Sequence, residues 1–150
     1  VLSGEELEHA KSLLSKVSVV KDGIIAGRIG THGMHDVTEG GILGAVWEMC
    51  SIAGTGARLD AEAIPADDVT RRICEHYDIN MLRLISSGSM LIMTEEDKKE
   101  EIIRELAAQG IPAAQIGKIV PKEEGLSICE GGKQTQIGPP GPDELYKIVK

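Results

Sequence analysis

Residues 34–44, MHDVTEGGILG, hold the residue types and spacing best suited to chemistry. Asp36 stands at the end of an expected strand, and Thr38, Gly40 and Gly41 fall in the first turn of an expected amphipathic helix. Each glycine costs a helix about 1 kcal/mol relative to alanine, so two in a row call for another purpose. Bare backbone N–H groups at the positive end of a helix dipole suit a phosphate or another anion. Asp36 beside them could help hold a divalent cation or take a proton from a substrate. The alternative is that Asp36 and Thr38 cap the helix while Gly40 and Gly41 let it pack closely on a sheet. The segment matches neither a P-loop nor a G-x-G-x-x-G fingerprint.

Other candidates are weaker. His32 and His35 are spaced H-x-x-H, but positions three apart on a strand face opposite ways, and no Cys or third His lies nearby. No metal site is expected there; His35, next to Asp36, suits a polar contact to substrate. Ser86, Ser87, Gly88 and Ser89 precede an apolar run and could offer hydroxyls and N–H groups to a phosphate, or simply form a tight turn. Glu95, Glu96 and Asp97 read as the negative first turn of a helix. Cys50 and Cys74 fall on apolar helix faces as packing residues, and Cys129 near a hairpin turn has no His partner.

These residues need elements to position them. Ser3 and Glu6 have capping-box spacing, and Leu7, Ala10, Leu13, Leu14 and Val17 recur at helical intervals, predicting a helix over 3–16. Residues 18–29 predict a short second helix, and 31–36 a short strand or turn. Thr38 can cap the next helix, whose Ile42, Leu43, Ala45, Val46, Met49, Cys50 and Ala53 form one apolar stripe ended by Gly54 and Gly56. A strand over 57–60, a helix from Asp67 to Tyr77 and a strand over 90–93 follow. Thr94 is expected to cap a helix that buries Ile102, Ile103 and Leu106 and stops at Gly110. Residues 113–120 read as a strand broken by Gly117, and 126–137 as a hairpin turning at Gly131-Gly132. Asp143 starts a last short helix after Pro139, Pro140 and Pro142. The alternation predicts an α/β or α+β fold, a mixed β-sheet packed with helices.

At 150 residues the chain fits one domain, 1–150, that can bury a core. A net charge of -8 argues against a nucleic-acid partner, since phosphate contacts need clustered Lys and Arg. Three aromatic residues, Trp47, Tyr77 and Tyr146, leave no platform for stacked bases. The apolar runs are too short for a membrane span. Three cysteines without paired spacing and no signal-like segment make the cytoplasm the expected compartment. The chain opens at Val1, without Met, on a helix-start pattern, which suggests a piece of something longer.

Residues 34–56, MHDVTEGGILGAVWEMCSIAGTG, with Ile64-Pro65, SSGSMLI at 86–92 and PDELY at 142–146, resemble the C-terminal domain of the AIR synthetase-related superfamily. That group includes aminoimidazole ribonucleotide synthetase, formylglycinamidine ribonucleotide synthetase, selenophosphate synthetase, thiamin-monophosphate kinase and HypE. The H-D-x-T-x-G-G form and its spacing to SSGSMLI are most similar to HypE-like members.

The resemblance implies a two-domain enzyme. Its N-terminal domain forms a homodimer and binds ATP and Mg2+ through acidic residues. Its C-terminal domain closes the cleft with a glycine-rich helix start. The implied chemistry is attack on the γ-phosphate of ATP by an oxygen, commonly amide-type, of an acceptor that the sequence does not identify. By resemblance His35, Asp36, Thr38, Gly40 and Gly41 face that cleft, Asp36 orienting substrate or metal and the two glycines facing phosphate oxygens. Glu39 departs from the T-R-G-G form by reversing a charge beside the phosphate. Without the acidic N-terminal half the chain alone is expected to be catalytically incomplete. The alternative is a nucleotide- or protein-binding domain that retains the fold without catalysis.

Overall fold

The computed structural model describes residues 1–149. Ser3 opens the first helix as its spacing to Glu6 implies. Its hydroxyl accepts the Glu6 N–H at 3.2 Å, and the Glu6 carboxylate accepts the Ser3 N–H at 2.7 Å, satisfying two otherwise orphan donors. This helix, α1, covers Gly4–Ser12 and then tightens into a 3-10 turn over Leu13–Lys16, so the expected single helix over 3–16 is two elements. No residue of α1 is buried, and Leu7 and Leu14 of its apolar stripe are exposed. Ion pairs from Glu6 to Arg72 and from His9 to Asp67 tie it down.

α2 (Val20–Ile29) follows, then β1 (Gly33–Asp36), as expected. α3 (Gly41–Ala53) begins two residues later than a Thr38 cap would set it: its N-cap is Gly40, with no side-chain capping bond. The Thr38 carbonyl instead accepts the Gly41 N–H at 3.1 Å, closing a turn ahead of the helix. Gly54 ends α3 in the left-handed region, and Gly56 is the first residue of β2 (Gly56–Asp60). Asp67 caps α4 (Asp68–His76) through the Val69 N–H.

β3 (Met90–Met93) leads to α5 (Lys99–Ala108). Thr94 does not cap α5, whose N-cap is Lys98; its hydroxyl donates to the Gly30 carbonyl at 3.0 Å and ties the end of β3 to the end of α2. Only Gly117–Val120 of the expected 113–120 strand forms β4. A Cβ on Gly117 would stand 2.3 Å from the Arg58 carbonyl oxygen, so the glycine starts the strand at its closest approach to β2. β5 (Leu126–Glu130) and β6 (Lys133–Gln136) form the hairpin, turning on Gly131 and Gly132 with positive φ.

The strands make two sheets. β1 pairs antiparallel with β3, Asp36 opposite Met90. The larger sheet runs β4-β2-β5-β6 and is mixed, with β2 parallel to β5 and the other neighbours antiparallel. The fold is α/β, with two sheets packed by five α-helices among the described residues. Leu43, Val46 and Cys50 of α3 cover Ala57, Leu59 and Ile128 of the larger sheet, with Ile64 and Ile137 completing that core. Each such large aliphatic side chain contributes about 1.5–3 kcal/mol by leaving water. A second cluster joins Ala26 of α2 to Ile102 and Leu106 of α5.

Candidate functional site

Alternation along β1 sends its two chemical side chains apart. His35 is half-buried and Asp36 exposed, and their Cβ atoms face opposite sides of the strand. The imidazole of His35 turns to α3, Nε2 lying 2.9 Å from a Glu48 carboxylate oxygen and Nδ1 2.6 Å from the Asp36 carbonyl. Glu48 was not among the expected site residues. Its place as the one charged residue of α3, seven after Gly41, is the signal that could have found it.

Asp36 turns the other way. With Val20, Ile24, Met34 and Met90 it lines an open concavity of about 420 Å3 between α2 and the β1–β3 sheet. Val20, Ile24 and Met34 are exposed apolar residues. The arrangement presents one carboxylate at the rim of an apolar shelf. It can accept hydrogen bonds from a ligand, or pair with a cation, while the shelf covers an apolar part.

The glycine loop is engaged within the chain. The Gly40 N–H donates to Asp143 Oδ2 at 2.7 Å, a buried contact, and the Gly41 N–H donates to Thr38. Gly40 and Gly41 both have positive φ, and a Cβ on Gly41 would lie 2.5 Å from the Leu82 carbonyl oxygen and 2.8 Å from that of Leu84. Gly41 therefore lets α3 sit directly on the 81–84 backbone. The anion at the positive end of α3 is a side chain of this chain, Asp143.

Glu39 lies beside the Tyr146 hydroxyl. Hydrogen bonding to the Glu39 carboxylate, reinforced by its charge, pushes the tyrosine above its ordinary pKa. Thr38 is exposed.

The Ser86–Ser89 segment is a turn, the Ser89 N–H donating to the Ser86 carbonyl at 3.1 Å. Its end meets the motif, since the Ser89 carbonyl accepts the Val37 N–H at 2.9 Å. Gly88 packs against the Lys16 backbone, where a Cβ would stand 2.6 Å from the carbonyl oxygen. Ser86 and Ser87 line a separate concavity of about 390 Å3 with Thr70, Ile73 and Cys74 of α4. Asp36, His35 and the serines thus occupy three sides of one framework; within the described residues they do not converge on a single pocket.

Burial pushes the Cys50 and Cys74 thiols up, which suits packing residues. His32 pairs with Glu95 at 2.6 Å, away from His35. Among the described residues no group of three or more His, Cys, Asp or Glu side chains could hold a metal ion, and no helix is long and apolar enough to cross a membrane.

A family model described as AIR synthase related protein, C-terminal domain, matches residues 3–129. The carbamoyl dehydratase HypE of Rhizobium leguminosarum bv. viciae is 26% identical over 139 residues, covering 80% of this chain and 40% of that protein. The crystal structure of Escherichia coli HypE, a hydrogenase maturation protein, shares the fold with a TM-score of 0.75 at 23% identity, covering 87% of this chain and 42% of that one. A structure of HypE in complex with ATP gives 0.70 at 20% identity, covering 81% and 39%. The chain therefore spans about two-fifths of the length of these relatives.

Proposed function

Because the chain belongs to the AIR synthase-related C-terminal domain family, we propose that it acts as the C-terminal half of an ATP-dependent enzyme of the HypE kind. In this reading the protein phosphorylates and so activates an amide-type oxygen of an acceptor substrate. The observation that carries it is the exposed Asp36 carboxylate, set at a strand end beside a glycine-rich helix start and on the rim of an open concavity. A likeness to HypE solved with ATP supports the nucleotide.

Asp36 would orient the acceptor or nucleotide, and Thr38 would add a hydroxyl at the same edge. His35, both of its ring nitrogens engaged by Glu48 and the Asp36 carbonyl, would act by holding the strand end. Ser86, Ser87 and Gly88 would brace the loop and reach ligand along the α4 face. The Gly40 and Gly41 N–H groups are committed internally, so these glycines would shape the loop more than cradle phosphate. The described residues do not assemble a Mg2+ site, so its ligands would come chiefly from an N-terminal half like that of the relatives. That half would also carry the homodimer contact. The expected compartment is the cytoplasm.

The proposed step forms a bond from the acceptor oxygen to the γ-phosphorus and breaks the bond to the departing ADP. Such transfer depends on positioning and charge neutralisation. The product of the intact reading frame, given ATP and a carbonyl-18O primary amide or carbamoyl thioester, should release phosphate carrying the label once the activated oxygen leaves carbon. Unlabelled phosphate alone would contradict activation at that oxygen. The committed Gly40 N–H favours a second reading, a nucleotide- or protein-binding domain without catalysis, in which no labelled phosphate forms.

A further inference from the structure

We propose that Asp143 is a positioning residue that sets the conformation of the 36–41 loop from the far end of the chain. The inference rests on the reading above that this loop faces a ligand.

The start of α3 lacks a local side-chain cap. Its N-cap, Gly40, has no side chain, and the third helical residue, Leu43, is buried in the core. In a capping box that third residue is a Glu or Gln whose side chain reaches back to the N-cap N–H. Here the acceptor comes from 103 residues away: Asp143 Oδ2 takes the Gly40 N–H at 2.7 Å. Its other oxygen takes the Leu145 N–H at 2.9 Å, capping the 3-10 turn Glu144–Lys147. Asp143 is only 4% exposed, and burying a carboxylate is costly unless both oxygens are bonded, as they are here.

Two further contacts come from the same segment. Pro140 Cβ packs against the Gly40 and Gly44 positions, at 3.3 and 3.6 Å from where their Cβ atoms would be. Residues 138–147 form a strap over the loop, and Asp143 is its fixed point. Removing the Gly40 bond frees two adjacent left-handed glycines to relax, and Asp36, four residues upstream, loses its alignment to the cleft.

Asp143→Ala tests this by removing both acceptor oxygens, so that neither the Gly40 nor the Leu145 N–H keeps its side-chain partner. In the 150-residue chain, NMR should show Gly40 amide exchange rising about tenfold or more while Val46 and Cys50 in α3 keep their protection. In the product of the intact reading frame, the variant should bind a non-hydrolysable ATP analogue about tenfold more weakly, and adding Asp36→Asn should cost less than about twofold more. That non-additivity is absent if Asp143 merely stabilises the fold. The proposal is overturned if Gly40 exchange stays within twofold of wild type, if α3 loses protection together with Gly40, or if the two substitutions act independently. Failure of the wild type to bind the analogue would overturn the functional reading instead, and the Gly40 exchange result would then decide on its own whether Asp143 sets the loop.

Discussion

His35 and Asp36 are adjacent in sequence and stand on opposite sides of β1. His35 is closed against Glu48 of α3, and Asp36 opens onto the shelf made by α2 and Met90. The two side chains cannot work shoulder to shoulder on one atom. Any ligand touching Asp36 approaches from the α2 side, and His35 acts on it only through the strand they share.

Gly41 is where loop geometry and stability meet. Gly41→Ala would drive a Cβ into the Leu82 and Leu84 carbonyls at a positive φ. Overpacking and left-handed strain together should cost about 3 kcal/mol, lowering the melting temperature by roughly 6–12 °C. Gly54→Ala is the control, since its φ is also positive but nothing lies within 4 Å of the added atom. It should cost about 1 kcal/mol. Equal losses by differential scanning calorimetry would mean that the close seat of α3 on 81–84 contributes nothing.

What was legible in the sequence follows the range of each interaction. The Ser3–Glu6 box and the Gly131–Gly132 hairpin are complete within a few residues, and both form as read. Thr38 and Thr94 have the right type for caps but sit ahead of short turns, so the helices start later and the Thr94 hydroxyl goes to Gly30. The parallel pairing of β2 with β5 depends on contacts some 70 residues apart, which no local pattern encodes. The same holds for the site. Glycines at a helix start promise free N–H groups, and whether another part of the chain takes them is decided by the fold, here by Asp143.

Glu39 is turned toward the C-terminal strap. The Glu39 carboxylate favours the protonated Tyr146, so the folded-state value lies above the unfolded one. The contact stabilises fully below the ordinary tyrosine range and is lost as pH rises through the raised value. In a Tyr77→Phe background, which leaves Tyr146 as the single tyrosine, tyrosinate absorbance should titrate at lower pH once Glu39→Gln is added. An unchanged titration would show that Glu39 does not face Tyr146.

α1 should be the first element to leave in acid. It buries no residue and depends on carboxylates. Asp67 is held below the ordinary aspartate value chiefly by the His9 hydrogen bond, and Glu6 below the glutamate value chiefly by the Ser3 N–H. Depressed folded-state values mean that this stabilisation is present above the ordinary carboxylate range, about pH 4, and disappears as pH falls through the lowered ones. Hydrogen exchange corrected for intrinsic rates should show 4–12 losing protection in acid while 41–53 retains it. Simultaneous loss would mean that α1 is part of the cooperative core.

The most direct test of the functional account is calorimetric titration of Mg2+ with a non-hydrolysable ATP analogue into the product of the intact reading frame and its Asp36→Asn form. Asp36 is exposed, so the substitution should leave the melting temperature within about 1 °C. Saturable binding to the wild type is the expected result, weakened about tenfold or more by the substitution through loss of a charged hydrogen-bonding partner. Binding that Asp36→Asn leaves untouched, or no binding at all, would contradict it.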